Sequence, residues 1–555
     1  SKSLKAGLLT LCCVKLSQRI LSVNKTADLI YQAFQNPALV QSFSGVRAEF
    51  GHGPGAPENL SALATAYGYC YARKTLEGRH EAELLVVREP RPTVQAIEES
   101  LARGFLAGAS TTGCHLRIID LDIITTPLIE TAIRALDAAG GVMITASHNP
   151  LTDNGFKFLT GCPRSGKTDL NDAPPGALLS AKKMKQIVQD VAELVNDSKQ
   201  FVKALERTDD LLLAQALGDG EDHQRRIKAE RAYLDSIGLD WGIQPHCLKP
   251  LVYGPVMLDP NGGAACGIGV RVLEHFGVRA IEVNAELGYP EHGIDTDNID
   301  PASGKHMLIR VARAALRTNA RFGLAFDYDA DRGNIVLPGL DESAIIPPQT
   351  VAASNIALAL AHREITVPKG DKLAVVISDS TSGASALVAR MFGAEVFTVE
   401  TGEINVVTRI HQLRNEGYDV PIGVEGANGG TIFGTSTCRD GIHAAICAAL
   451  GDEHPEVAQQ WLKVLGRNRR GSDVSGPRKL PDIIATIPAY YNRAIKIEGP
   501  SISHGEIKSR MESYFGKSLW PKLSGRFQHY EFKNYEGTHS VTERTGDESG
   551  GWRIS

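Results

Sequence analysis

The stretch Leu84-Leu85-Val86-Val87 is a short apolar run that leads through a turn into an amphipathic segment from Thr93 to Ala107. A run of this length predicts a buried strand, and the longer periodic segment predicts a helix. The same rhythm recurs at Arg117–Ile119 with Pro127–Ala139, at Pro250–Leu258 with Cys266–Phe276, and at Leu373–Ile377 with Ser382–Phe392. Strands and helices that alternate at this spacing indicate βαβ units. We therefore predict an α/β fold with largely parallel sheets.

Composition and charge limit the possible functions. The 555 residues contain 43% hydrophobic and 22% charged residues, which is ordinary for a globular protein. The formal charge of −5 predicts no general attraction to nucleic acid or to an anionic membrane. No run approaches the roughly 20 apolar residues of a membrane span, and we expect the apolar Leu8–Val14 to belong to an N-terminal helix. The nine cysteines lack paired spacing, which indicates reduced thiols in a cytoplasmic protein.

Breaks in the pattern divide the chain into four parts. The stretch from Thr160 to about Gln244 has a Pro/Gly patch followed by charged helical sequence, and we interpret it as an enlarged connection without a catalytic role. Further breaks lie at Asp341–Gln349 and at Arg467–Pro481. The last part is small and ends in a Gly-rich tail.

Ser147 follows an apolar strand in the sequence Gly141-Val142-Met143-Ile144-Thr145-Ala146-Ser147-His148-Asn149-Pro150. A serine on a strand-end turn beside His148 and Lys157 has an exposed oxygen and donor groups for a phosphate, as a covalent phosphoryl carrier requires. The alternative is a serine that only caps a turn before proline. Taken alone, the motif leaves both interpretations open.

Three carboxylates alternate in Asp327-Tyr328-Asp329-Ala330-Asp331-Arg332, directly after an apolar run. They can point into one site and supply hard oxygen ligands for Mg²⁺. An EF-hand is excluded, because its sixth and twelfth positions would be Arg332 and Pro338 in place of Gly and Glu. A solvated acidic turn and the Asp-x-Asp of aspartyl-phosphate phosphatases remain as alternatives, although the third Asp followed by Arg fits the phosphatases less well.

Two further loops carry groups suited to a sugar phosphate. The Gly-rich Gly423–Thr431 offers Glu425 and Asn428 to two vicinal hydroxyls, although a simple turn is an equal alternative. The segment Arg544–Arg553 has hydroxyls and backbone amides between two arginines, which suits a phosphate, although a disordered tail would have similar sequence.

In this order the four motifs resemble those of the α-D-phosphohexomutase superfamily, from Phe43 to Arg553 without the 160–244 insertion. The resemblance implies four domains around a central cleft, three of related mixed α/β fold and a smaller C-terminal α+β domain. The implied boundaries are 1–245 for the phosphoserine domain with its insertion, 246–342 for the metal domain, 343–470 for the sugar domain and 471–555 for the phosphate domain.

The resemblance also implies the role of each site residue. Ser147 looks like the phosphoserine, and with Asp327, Asp329 and Asp331 it would bind one Mg²⁺. Lys157 and His148 resemble the general acid/base and its neighbour, and Arg47 resembles the active-site arginine. The implied substrate-binding residues are Arg332, Thr401, Gly402, Glu425, Asn428, Arg544, Thr545, Gly546 and Arg553. Arg88 and Arg91 match an Arg-x-x-Arg pattern of the family.

The implied reaction moves a phosphoryl group between O1 and O6 of a hexose phosphate through a phosphoserine and a hexose 1,6-bisphosphate. The sugar stays open, because Glu425 to Gly429 is closest to phosphoacetylglucosamine mutases whereas the segment before Ser147 is closest to glucose and mannose enzymes. Tyr328 replaces a customary Gly, Glu403 is unusual in the loop that chooses the sugar orientation, and the C-terminal loop is shortened. These departures keep a non-catalytic phosphosugar-binding protein and a metal-dependent phosphatase as alternatives. We expect a phosphosugar as the partner and a monomer or homodimer.

Overall fold

The computed structural model describes residues 23–164, 172–217, 222–248, 254–293, 299–300, 304–367, 372–426, 428–468, 479–490, 502–541 and 551–554. Up to residue 346 the elements are α1 (Val23–Phe34), β1 (Val40–Ser42), β2 (Gly45–Glu49), α2 (Pro57–Leu76), β3 (Glu81–Arg88), α3 (Val94–Thr112), β4 (His115–Ile123), α4 (Thr126–Leu136), β5 (Gly140–Ile144), β6 (Asp153–Thr160), α5 (Ala181–Asn196), α6 (Lys199–Leu205), α7 (Asp210–Leu217), α8 (His223–Trp241), β7 (Val256–Asp259), α9 (Ile268–His275), β8 (Ala280–Glu282), β9 (Ile299–Asp300), β10 (Lys305–His306), α10 (Ile309–Arg317), β11 (Gly323–Phe326) and β12 (Gly333–Val336).

After residue 346 the elements are α11 (Pro348–Thr366), β13 (Ala374–Ser378), α12 (Gly383–Met391), β14 (Glu395–Val399), α13 (Glu403–Asn415), β15 (Ile422–Glu425), β16 (Gly430–Phe433), α14 (Gly441–Glu453), α15 (Pro455–Asn468), α16 (Leu480–Thr486), α17 (His504–Tyr514), α18 (Trp520–Leu523), β17 (Phe532–Glu536), β18 (His539–Val541) and β19 (Trp552–Ile554).

The chain forms two compact units. The first comprises Ser1–Ile346 with Thr435–Glu453, and the second comprises Pro347–Gly434 with His454–Ser555. Helix α14 thus belongs to the first unit, although the chain reaches it only after passing through the second. The four domain boundaries drawn from the sequence stay a prediction.

Sheets in both units combine a parallel core with an antiparallel edge. The first unit has a sheet of order β1-β2-β6-β5-β3-β4, a second of order β12-β11-β7-β8 and a short pair β10-β9. The second unit has sheets of order β14-β13-β15-β16 and β18-β17-β19. Strand β3 is parallel to β4 and β5, whereas β6 is antiparallel to β5. The α/β prediction is confirmed, and the antiparallel edges are the feature that the strand and helix rhythm does not show.

The antiparallel edges follow from short connections. A parallel crossover needs about a dozen residues or more, whereas a short loop returns the chain antiparallel. Such loops join β5 to β6, β11 to β12 and β15 to β16. These three loops contain Ser147, the three aspartates and Asn428 respectively. Each therefore begins at the carboxyl end of a strand in the parallel part of its sheet.

Close helix packing supports the largest sheet. Strand β3 buries Leu84, Leu85, Val86 and Val87 completely. Helices α2 and α3 meet at glycines, because a Cβ at Gly104 would lie 2.3 Å from the Thr65 carbonyl oxygen. The charged segment expected to be an inserted connection also packs here, since α5 buries residues in the same core. In the described ranges, no helix is both long enough and apolar enough to span a bilayer.

Candidate active site

Ser147 lies in the loop that leaves strand β5, in the first unit. Its φ of 51° is in the left-handed region, which non-glycine residues adopt at a cost of about 1 kcal/mol or more. The backbone N–H of Ser147 donates to Thr145 Oγ1 at 2.7 Å. Ser147 is 3% exposed, and its hydroxyl donates to Asp327 Oδ2 at 3.2 Å. The predicted carrier serine and the predicted metal loop are therefore in direct contact.

A buried ion pair holds the Ser147 loop in this conformation. Arg91 donates to the carbonyl oxygens of Ser147, Asn149 and Asp153 at 2.7, 2.8 and 2.9 Å, and it pairs with Glu89. Glu89 accepts the Thr145 hydroxyl at 2.7 Å and the backbone N–H of Ala146 at 3.2 Å. Arg91 was identified from the sequence through the family resemblance, whereas Glu89 was not. Its only local signal is a lone acid between two arginines at a strand end.

The three aspartates form one buried cluster between β11 and β12. One carboxylate oxygen from each of Asp327, Asp329 and Asp331 lies within 4.8 Å of the others. The Oδ1 atoms of Asp329 and Asp331 accept no hydrogen bond, although both residues are fully buried. Buried carboxylate oxygens without donors are costly unless a cation binds them. Converging hard oxygen donors of this kind fit a divalent cation such as Mg²⁺.

Basic side chains surround the same aspartates. Lys157 Nζ lies 2.7 Å from Asp329 Oδ2 and 3.2 Å from Asp331 Oδ2, and it comes from strand β6 beside the Ser147 loop. Arg332, predicted in the substrate-binding set, is buried and donates from Nε to Asp327 Oδ2 at 2.9 Å. Its substrate role stays a prediction, since the described contact is with the metal loop itself.

Arg439 is a further basic residue of the site that the sequence analysis missed. Its guanidinium donates to Asp331 Oδ2 at 2.6 Å. Arg439 lies 108 residues after Asp331, in the segment that returns to the first unit before α14. The local sequence Arg439-Asp440-Gly441 indicates only a helix start, so that nothing near it in the sequence points to the metal loop.

The aspartates differ in their affinity for protons. Burial and the neighbouring Asp331 carboxylate raise the pKa of Asp327 well above its ordinary value, against the opposing charge of Arg332. Burial also acts to raise the pKa of Asp331, but the charges of Arg439, Lys157 and Arg332 outweigh it and hold that pKa well below its ordinary value. Asp331 therefore stays ionised more readily than Asp327.

Two other predicted residues flank this centre. Arg47 lies on β2 opposite Gly155, which places it on the same sheet face as Lys157. Burial lowers the pKa of Arg47, although Asp329 and Asp331 act in the opposite direction. The Arg47 guanidinium donates to the carbonyl and hydroxyl oxygens of Ser44, and its Nε has no partner. His148 follows Ser147 directly and is half-buried.

Tyr328 occupies the space that a glycine would leave open in the metal loop. Its ring is buried, and the Arg91 guanidinium carbon lies 5.6 Å from the ring centroid, which is the geometry of a cation–π contact. The Tyr328 hydroxyl has no hydrogen-bond partner. The substitution therefore adds a contact between the metal loop and the arginine that holds the Ser147 loop.

The predicted sugar residues lie in the second unit. Glu425 ends strand β15 and is buried, while Asn428 lies in the turn that follows. Gly426 between them has a φ of 81°, and its N–H donates to Ser378 Oγ at 2.9 Å. The backbone N–H of Thr401 donates to Asp379 Oδ1 at 2.9 Å. Within this unit, the ends of β13 and β15 thus present hydroxyls and carboxylates side by side.

The C-terminal sheet lies against the same group of loops in the second unit. The N–H of Gly537 donates to Glu400 Oε2 at 2.7 Å, and the N–H of Glu400 donates to the Gly537 carbonyl at 3.0 Å. This contact directly precedes Thr401 and Gly402, at the start of α13. Arg553 lies on β19. Arg544, Thr545 and Gly546 lie outside the described residues, so their phosphate-binding role stays a prediction.

Comparison with known proteins identifies related sequences and folds. The family model "Phosphoglucomutase/phosphomannomutase, alpha/beta/alpha domain I" matches residues 40–169, and the model of domain III of the same family matches residues 353–454. A phosphoglucosamine mutase of Rhodococcus jostii is 25% identical over 470 residues, which cover 76% of this chain and 93% of that protein. A phosphoglucosamine mutase of Clostridioides difficile is 26% identical over 70% of this chain and 72% of its own length.

Solved structures share the fold. A putative phosphomannomutase of Thermus thermophilus has a TM-score of 0.55 at 22% identity, over 78% of this chain and 84% of its own. The exocytosis-sensitive phosphoprotein parafusin, a phosphoglucomutase of Paramecium, has a TM-score of 0.55 at 15% identity, over 92% of this chain and 85% of its own. The first family match includes Ser147 and Lys157, and the second includes Thr401, Glu425 and Arg439. The two family models and the relatives named mutases support the α-D-phosphohexomutase superfamily for this chain, and an isomerase of the phosphohexomutase class.

Proposed function

We propose that the protein interconverts the 1-phosphate and 6-phosphate of a hexose, with Ser147 as the phosphoryl carrier and a hexose 1,6-bisphosphate as the intermediate. The observation that carries this proposal is the contact of the buried Ser147 hydroxyl with Asp327, at 3.2 Å, in a cluster of three aspartates. One serine hydroxyl requires only one hydrogen-bond acceptor, so the fold alone does not explain three carboxylates beside it. A cation that binds both the carboxylates and a phosphate on Ser147 would explain them.

The metal centre would be formed by Asp327, Asp329, Asp331 and the phosphate on Ser147. When bound there, Mg²⁺ neutralises charge on the transferring phosphoryl group. The strained backbone of Ser147, held by Arg91, fixes the direction of the serine oxygen before substrate arrives. Because the serine and the three aspartates are at most 3% exposed, the first unit itself restricts the access of water to a phosphoserine.

Lys157 is the best placed group for proton transfer. Its ammonium lies within 3.2 Å of two of the aspartates, on the strand beside the Ser147 loop. In the proposed reaction, Lys157 acts from its neutral amine form and takes the proton of the sugar hydroxyl as that oxygen bonds to phosphorus, and it gives a proton to Ser147 Oγ as the bond between Ser147 and the phosphate breaks. The second transfer, in which Ser147 Oγ attacks the other phosphate of the bisphosphate, runs these steps in reverse. Arg47 on the same sheet face would bind the phosphoryl oxygens.

The second unit supplies the proposed sugar and distal phosphate contacts. Glu425 would accept hydrogen bonds from sugar hydroxyls, and Asn428 would donate hydrogen bonds to them. Thr401 and Gly402 would lie next to the sugar ring. The bisphosphate must turn round between the two transfers, so a second phosphate site is required, which we assign to Arg544, Thr545, Gly546 and Arg553. Relatives named phosphoglucosamine mutase support a hexose phosphate as substrate, and the sugar itself is best found by testing a panel.

The proposal is tested with glucose, mannose, glucosamine and N-acetylglucosamine phosphates, Mg²⁺ and a trace of hexose 1,6-bisphosphate. We expect one or more isomer pairs to interconvert, and we expect intact-mass analysis to find one phosphate on the protein. Ser147→Ala should remove both. The matched control is Ser110→Ala, because the Ser110 hydroxyl only donates to a carbonyl within α3.

Other outcomes would replace the proposal. A Ser147→Ala protein that still isomerises substrate contradicts the phosphoserine mechanism. Release of free phosphate without isomerisation indicates a metal-dependent sugar phosphatase. Binding of a sugar phosphate without any turnover indicates a non-catalytic phosphosugar-binding protein.

A further inference from the structure

The segment 435–443, within the first unit, rests directly on the metal loop. Arg439 in this segment donates to the metal-loop residue Asp331 at 2.6 Å. The N–H of Gly441 donates to the Ala330 carbonyl at 3.2 Å, and a Cβ at Gly441 would lie only 2.6 Å from the Arg332 carbonyl oxygen. Backbone therefore packs on backbone at this point. A displacement of the segment would move Arg439 away from Asp331 or push against the metal loop.

Helix α8 holds the other side of this segment at three points. Asp240 Oδ2 accepts the N–H and the hydroxyl of Thr435, both at 2.9 Å. The Tyr233 hydroxyl lies 2.9 Å from each carboxylate oxygen of Asp440. Trp241 Nε1 donates to His443 Nε2 at 2.7 Å. Positions 233, 240 and 241 lie on one side of the helix, so this side of α8 contacts the segment at Thr435, Asp440 and His443.

The central contact of the three is the most sensitive to substitution. Tyr233 and Asp440 are both at most 2% exposed. Asp440 also caps α14, because Oδ1 accepts the N–H of His443 at 2.8 Å. A buried carboxylate that loses its hydroxyl donor keeps an unsatisfied acceptor, which is destabilising and favours rearrangement. Asp440 is the neighbour of Arg439, so a rearrangement there reaches the metal loop through one peptide unit.

We propose that Tyr233 is a positioning residue of the metal centre, which holds Asp440 and thereby fixes the Arg439–Gly441 turn against the metal loop. The segment that sequence analysis gave no catalytic role thus contributes a helix that orients Asp331. The inference depends on the proposed function only for its kinetic test, because its first test measures metal binding.

The test compares Tyr233→Phe with a matched control in the intact chain. Tyr71→Phe removes an equally buried hydroxyl from α2 in the same unit, where it donates to the Leu159 carbonyl at 2.7 Å and touches no metal-loop residue. Mn²⁺ is titrated by calorimetry as a probe of the site. We expect Tyr233→Phe to weaken Mn²⁺ binding by about three- to tenfold, as the loss of outer contacts does at metal sites, and Tyr71→Phe to leave it unchanged.

Kinetic measurements extend the same comparison. For the hexose phosphate that the protein isomerises, Tyr233→Phe should lower kcat and raise the Mg²⁺ concentration for half-maximal rate, with KM for the sugar phosphate within about twofold of the unsubstituted protein. Combining Tyr233→Phe with Asp440→Asn should give less than the sum of the two separate effects, because both changes act on the same contact between Tyr233 and Asp440.

Two results would decide between the positioning role of Tyr233 and its alternatives. If Tyr233→Phe lowers the unfolding temperature as Tyr71→Phe does, with Mn²⁺ affinity unchanged, Tyr233 supports only the fold and the inference is wrong. If the protein isomerises no hexose phosphate but Tyr233→Phe still weakens Mn²⁺ binding, the proposed function fails and the positioning role stands.

Discussion

Glu89 and Arg91 form the ion pair that keeps Ser147 in its left-handed conformation. Both side chains are fully buried, and Glu89 also accepts from Thr145 and Ala146 in the serine loop. Removal of one partner from a buried pair leaves an uncompensated charge, which typically costs about 3–5 kcal/mol. The loop geometry and the stability of the first unit therefore depend on the same carboxylate.

We expect Glu89→Gln to lower the free energy of unfolding by about 3 kcal/mol, measured by denaturant titration. Its kcat should fall by about tenfold or more, because Ser147 would lose the support that directs its hydroxyl at Asp327. Glu98→Gln is the matched control. Arg88, its partner, keeps Asp120 and Asp122, each at 2.7 Å, so this change should cost less than about 1 kcal/mol.

If Glu89→Gln and Glu98→Gln have equal effects on both stability and kcat, the ion pair between Glu89 and Arg91 has no special relation to Ser147.

The residues of the site also show which contacts can be predicted from the sequence and which cannot. Ser147 and the aspartates stand in compact motifs, whereas Glu89 reaches Thr145 across 56 residues and Arg439 reaches Asp331 across 108. Contacts of that separation depend on strand order, which a single sequence does not determine.

Among the elements, helices α8 and α14 are connected by a hydrogen bond between Trp241 and His443. This bond determines the protonation state of His443. Trp241 can only donate a hydrogen bond, so His443 Nε2, at 2.7 Å, must be an unprotonated acceptor. Burial lowers the pKa of His443 to about 3. The contact between the two helices therefore requires the neutral imidazole.

Acid should weaken this contact. The unfolded chain binds a proton at His443 below its ordinary pKa of about 6.5, whereas the folded chain does not until about pH 3. The stability contributed by the neutral imidazole is thus present above pH 6.5 and is lost as the pH falls toward 3, by about 1.4 kcal/mol per pH unit. His443→Gln keeps an acceptor for Trp241 and cannot titrate.

We expect His443→Gln to show a shallower loss of stability between pH 6.5 and pH 4 than the unsubstituted protein, in denaturant titrations at each pH. His115→Gln is the control, because it makes the same substitution at an exposed histidine on β4. Parallel curves for His443→Gln and the unsubstituted protein would contradict the assignment of a neutral imidazole.

The elements also show why the sheets were only partly predictable. The apolar runs for β3, β7 and β13 were found from their length and their following helices. The antiparallel strands β6, β12 and β16 follow short loops rather than helices, so the strand and helix rhythm did not include them. Those loops contain the proposed chemistry. The short polar loops therefore identify the candidate site in the sequence. The same loops interrupt the alternation of strands and helices from which the fold was predicted.

At the scale of the whole molecule, the chain divides its proposed tasks between two units. All three aspartates, Ser147, Lys157 and Arg439 belong to the unit of Ser1–Ile346 and Thr435–Glu453. Glu425, Thr401 and Asn428 belong to the other. A metal ion that binds only folded aspartates stabilises the unit that contains them, by about 2.7 kcal/mol at one hundred times its Kd.

Calorimetry should therefore resolve two unfolding transitions, of which Mg²⁺ raises only one. For a unit of this size, the expected shift is about 4 °C at one hundred times the Kd. Asp331→Asn should abolish the shift. Val376→Ala, in the buried core of β13, should lower the other transition and so assign it to the second unit. Equal shifts of both transitions with Mg²⁺, or a shift that survives in Asp331→Asn, would show that the ion binds elsewhere than at the three aspartates.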